Sequence, residues 1–61
     1  MKFTVYPKKD VLKIAPSAIC YQSRIEELFI VVEGGSRLGT GTTAATAWRN
    51  ARKTLNEREA Q

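Results

Sequence analysis

The sequence predicts an α+β fold, an antiparallel sheet of three to four strands with one C-terminal helix packed on one face. Three observations carry this expectation. Residues 27–33 (Glu-Leu-Phe-Ile-Val-Val-Glu) are an unbroken run rich in strand formers. Gly34-Gly35 follows directly, and two glycines accept the positive φ that a two-residue hairpin turn needs. Beyond Thr43 the apolar residues recur at helical spacing. Strands first and a helix last favour one amphipathic helix laid across an antiparallel sheet.

The elements follow in chain order. Residues 2–6 (Lys-Phe-Thr-Val-Tyr) alternate and are expected as a strand, ended by Pro7, which cannot donate to a ladder. Residues 8–16 are ambiguous. Val11, Leu12 and Ile14 are apolar, yet Pro16 pushes Ala15 away from helical angles, so a loop with a short strand-like or single-turn piece is expected. Residues 18–23 read as a strand, a turn through Arg24 leads to the strand 27–33, and 36–39 is a short returning strand. Thr42 or Thr43 supplies an N-cap hydroxyl for a helix over about 43–58. Ala44, Ala47, Trp48, Ala51 and Leu55 form its apolar stripe, with Trp48 as core anchor.

Leu28, Ile30 and Val32 alternate with Phe29 and Val31, so both faces of the central strand are apolar. One helix covers one face. The second face, assigned to Phe29 and Val31, is expected to meet a partner, and a homodimer packed sheet to sheet is one way to cover it. A chain of 61 residues makes one domain of marginal stability, which favours such help.

Composition narrows the chemistry. The chain is 43% hydrophobic and 26% charged, ordinary values for a globular protein. No apolar run is long enough to span a bilayer, and the start lacks the apolar stretch of a secretory signal, so no membrane association and a cytoplasmic location are expected. There is no histidine and a single cysteine, so an internal disulfide and the common zinc sites are excluded. No metal, cofactor or catalytic residue is expected. Cys20 has no histidine to activate it and reads as a small apolar filler of the sheet. Glu26 and Glu27 are adjacent and would face opposite sides of a strand.

Net charge is +4 and is unevenly placed. Residues 1–13 carry four lysines against Asp10, and residues 37–61 carry five cations against two glutamates. Residues 14–36 carry Arg24 against three glutamates. A basic balance favours an anionic partner such as nucleic acid, although a charge of this size also serves plain solubility. Arg49, Arg52 and Lys53 recur on one helical stripe and are the first candidates for phosphate contacts, with Arg37 and Arg24 as auxiliaries. A solvated helix face reads the same way. The segment Gly39-Thr40-Gly41-Thr42-Thr43 is neither a Walker motif nor a dinucleotide fingerprint. It reads as a tight strand-to-helix turn with a threonine cap rather than as an anion cradle.

Three strands followed by one helix, joined through Leu38-Gly39-Thr40-Gly41-Thr42-Thr43-Ala44, resemble the AP2-like DNA-binding domains of phage-type integrases over about residues 18–55. That resemblance implies a sheet set into the major groove, with Arg24 and Arg37 as its DNA contacts. The apolar central strand departs from the polar sheet face of that family. The same stretch is similar to small HicB-type antitoxin domains, matched by Gly39, Gly41, Thr43, Ala47, Asn50 and Ala51 with a one-residue slip. That likeness implies a protein partner. The sequence therefore leads to a non-catalytic small binding protein, nucleic-acid-binding or regulatory, of phage or mobile-element type. The alternative is a modulator that binds a host protein complex through the apolar face of Phe29 and Val31.

Overall fold

The computed structural model describes residues 5–59. The element order is α1 (Pro7–Ile14), β1 (Ile19–Ser23), β2 (Leu28–Glu33), β3 (Ser36–Gly41) and α2 (Ala44–Glu59). The three strands form one antiparallel sheet in the order β1-β2-β3. The fold is α+β, with α2 packed on the sheet, chiefly over β3, and α1 packed on α2. No helix among the described residues is long and apolar enough to cross a membrane.

Three strands and α2 fall within a residue or two of their expected places. Helix α1 does not, because the sequence suggested a loop there. Pro7 is the first residue of this helix rather than the end of a strand. Its fixed φ suits that position, where no amide donor is needed. Asp10 lies in the first turn and Lys13 in the last, the arrangement the helix dipole favours. Pro16 then stops the helix, and Ala15 closes it by donating to the Val11 carbonyl at 2.7 Å. Of the strand expected over 2–6, residues 2–4 lie outside the described residues. Val5 and Tyr6 are not strand, and Tyr6 is the N-cap of α1.

The β2–β3 hairpin turns at Gly34 (φ 56°) and Gly35 (φ 84°), both left-handed as a two-residue hairpin requires. A bulge follows. Val32 pairs with Arg37 but Val31 pairs with Gly39, so Leu38 is the extra residue. Leu38 and Val31 both enter the core beneath the helices, with Val11, Ala47, Trp48, Ala51 and Leu55.

The bulge sets which face the helices cover, and it reverses one expectation. Phe29 and Val31 are not an outward face. Val31 has 0% exposure, and Phe29 packs against the same core. They pair with Gly41 and Gly39, the two positions over which α2 runs. Leu28, Ile30 and Val32 point the other way, and Ile30, which pairs with Tyr21 and Thr40, is itself buried. Val31 is thus interior packing and Phe29 lies half-buried under the helical layer, so the two do not form the outward partner face expected of them.

Gly39 and Gly41 hold α2 against β3. A Cβ at Gly39 would overlap the Ala51 amide nitrogen and lie 2.7 Å from the Ala47 carbonyl oxygen. A Cβ at Gly41 would lie 2.7 Å from the Thr46 side chain. These glycines are strand residues that admit a helix backbone at close range, not parts of an anion loop. Asn50 adds a bond from α2, donating from Nδ2 to the Thr40 carbonyl at 2.6 Å.

Candidate polyanion interface

Helix α2 starts at a threonine cap. The Thr43 hydroxyl accepts from the Thr46 amide at 3.2 Å, and it also meets the Thr46 hydroxyl at 2.9 Å. From this start, Ala47, Trp48, Ala51 and Leu55 turn inward. Positions 49 and 53 then fall on the opposite side at 100° per residue, and both Arg49 and Lys53 are exposed. Neither makes an ion pair among the described residues.

Arg52 has a different role from the one its stripe suggested. It leans toward α1 and donates from Nη1 to Asp10 Oδ2 at 2.9 Å. Asp10 is 1% exposed, the one charged residue in the interior among the described residues. A carboxylate this deep needs a hydrogen-bonded cation, and Arg52 supplies it. The pair ties α1 to α2 and leaves Arg52 mostly withdrawn from solvent.

The sheet-side candidates also stand apart. Arg37 lies opposite Val32, on the face turned from the helices. Its guanidinium fork bonds both carboxylate oxygens of Glu26, at 3.3 and 3.1 Å. The pair is exposed and worth a few tenths of a kcal/mol to about 1 kcal/mol. Arg24 is exposed in the turn between β1 and β2, beside Glu26 and Glu27. Of five expected nucleic-acid contacts, the structure therefore keeps Arg49 and Lys53 together on one open helix face. It commits Arg52 to Asp10 and sets Arg37 and Arg24 among the sheet's glutamates.

Helix α1 supplies what the sequence reading missed. Lys9 and Lys13 are one turn apart and exposed, on the side opposite buried Asp10 and Val11. Lys8 stands with its Nζ 5.8 Å from the Trp48 ring centroid, a cation–π contact. The signal for these lysines was the apolar spacing of Val11, Leu12 and Ile14, obscured by the two flanking prolines.

The charge is now sorted by layer. The helices carry Lys8, Lys9, Lys13, Arg49, Arg52, Lys53 and Arg58 against Asp10, Glu57 and Glu59. The sheet and its turns carry Arg24 and Arg37 against Glu26, Glu27 and Glu33. The excess positive charge belongs to the helical layer.

A cleft of about 470 Å³ opens between α1, β1 and the start of α2. Leu12, Cys20, Phe29 and Trp48 form its apolar lining, with Lys8 and Gln22 as polar members. Burial pushes the Cys20 thiol above its ordinary pKa, and the Lys8 charge opposes this more weakly. A thiol so placed is mostly protonated at neutral pH and is a poor nucleophile.

Comparison with protein-family models, curated proteins and solved structures gives no match for this chain.

Proposed function

We propose that this is a non-catalytic binding protein that holds the phosphate backbone of a nucleic acid against its helical layer. The carrying observation is the sorting of charge. Exposed cations from α1 and α2 share one layer, whereas the sheet side is balanced toward acid. Lys9, Lys13, Arg49 and Lys53 supply the phosphate contacts. Arg52 acts indirectly, by fixing α1 on α2 through Asp10 so that the two basic faces keep one relative position.

The mechanism is electrostatic. Each cation that neutralises a phosphate releases condensed counterions, so affinity falls steeply as salt rises. Such contacts position a nucleic acid without reading its sequence. This mode uses the helices, in place of the sheet-in-groove mode implied by the integrase resemblance. A role as a regulatory accessory protein of a phage or mobile element, acting in the host cytoplasm, rests on that resemblance of residues 18–55.

The test is fluorescence anisotropy with short DNA and RNA duplexes over a salt series. Four contacts give a slope of log affinity against log salt of about −3.6 on B-DNA. Replacing Arg49 and Lys53 by Ala should halve that slope to about −1.8 and leave the fold intact. Binding that is absent at low salt, or indifferent to both substitutions, contradicts the proposal.

A further inference from the structure

We infer that β1 is a dimerisation edge, through which two copies of this chain pair antiparallel across a two-fold axis into one six-stranded sheet. The two outer strands of the sheet are built differently. Strand β3 carries Arg37 and a bulge, and the Asn50 side chain occupies its Thr40 carbonyl. These are devices that discourage further strand pairing. Strand β1 (Ile-Cys-Tyr-Gln-Ser) has no charge, no proline and no bulge, and among the described residues it pairs only with β2.

Of the five exposed large hydrophobic residues among the described residues, Val5 and Tyr6 precede α1 and the other three lie along this edge. Ile19 is 60% exposed, Tyr21 43% and Ile25, in the following turn, 96%. A two-fold axis through Tyr21 stacks the two Tyr21 rings as a cross-strand pair and sets Ile25 of one copy diagonal to Ile19 of the other. Like charges do not meet in this register. Arg24 of one copy falls opposite Ala18 of the other. Glu33 stands one strand further in, held there by the Ser17 hydroxyl at 3.1 Å. No cation meets its own copy. Antiparallel pairing about such an axis keeps both helical layers on the same side of the sheet, which doubles the basic surface. The dimer does not depend on that surface, and a dimer that ignores nucleic acid would leave this inference standing.

The experiment is sedimentation equilibrium of the full chain from micromolar to millimolar concentration. The expected result is a reversible dimer of twice 6.8 kDa. Its dissociation constant should rise tenfold or more for Tyr21→Lys, and likewise for Ile25→Lys, whose side chain is 96% exposed. Circular dichroism checks that both variants stay folded. In a Cys20→Ser background, Tyr21→Cys should cross-link on mild oxidation, because facing residues of antiparallel strands lie within disulfide reach. Arg37→Cys on the other edge should not. A monomer at millimolar concentration overturns the inference, as does a dimer unmoved by both lysine variants or cross-linked through position 37.

Discussion

The two flanks of the sheet show opposite solutions to covering a small β layer. On the β3 side, Gly39 and Gly41 let the α2 backbone approach the strand directly, with Ala47 and Ala51 as equally small partners. On the β1 side the helices stand off, and Cys20, Phe29 and Trp48 line a cleft. The first flank fixes where α2 lies and so where Arg49 and Lys53 point. The second leaves apolar side chains and a strand edge for other uses. Close backbone packing carries rigidity, and loose side-chain packing carries opportunity.

That contrast makes graded demands on mutants. The largest effect is expected from Gly39→Ala. Its methyl group meets the helix backbone at Ala51 and Ala47, which cannot rotate aside as a side chain could. A loss of about 3 kcal/mol or more is expected in urea unfolding. Gln22→Ala on exposed β1 should stay within about 0.5 kcal/mol. Equal sensitivity at the two positions would remove the distinction between the flanks.

Next comes the joint between the helices. Arg52→Ala removes the cation that pairs with the buried Asp10 carboxylate. Breaking a fully buried pair costs about 3–5 kcal/mol. Arg52 keeps some solvent contact, so about 2 kcal/mol is expected here. Arg49→Ala, three residues earlier on the open face, should change stability by less than about 0.5 kcal/mol. Nucleic-acid affinity separates the same two residues in another way. Arg49→Ala should weaken it in a folded protein, whereas Arg52→Ala should act through α1.

The smallest effect concerns the cleft. Alkylation of Cys20 should follow a thiolate titration whose midpoint lies above that of an ordinary cysteine, because burial disfavours the charged form. Lys8 pulls the other way, so Lys8→Ala should move the midpoint higher still and slow the reaction at neutral pH. A midpoint that falls on removing Lys8 would contradict the assignment of that charge to the cleft.

Much of this architecture is legible in the residues. The run Leu28–Glu33, the Gly34-Gly35 turn and the Thr43 cap each have a local cause, and each appears where its cause lies. What escaped has non-local causes. Helix α1 is eight residues long between two prolines, too short to announce itself, and it stands because α2 receives it. The facing of β2 escaped because of the bulge. Counted from the glycine turn without it, Gly39 falls opposite Ile30, which makes the close-packed face the other one. With the bulge, Gly39 and Gly41 join Val31 and Phe29 beneath the helix. The candidate site was half legible. Arg49 and Lys53 follow from helical periodicity, but the diversion of Arg52 needs Asp10, 42 residues away.

The central claim is that the exposed cations of α1 and α2 form the working surface. Titrating isotope-labelled protein with a short nucleic-acid duplex, and following backbone amide signals by NMR, tests it most directly. The account predicts that the largest shifts cluster at Lys9, Lys13, Arg49 and Lys53 and fade as salt is added. Shifts centred on β1 or on Arg37 and Arg24, or none at low salt, would contradict it.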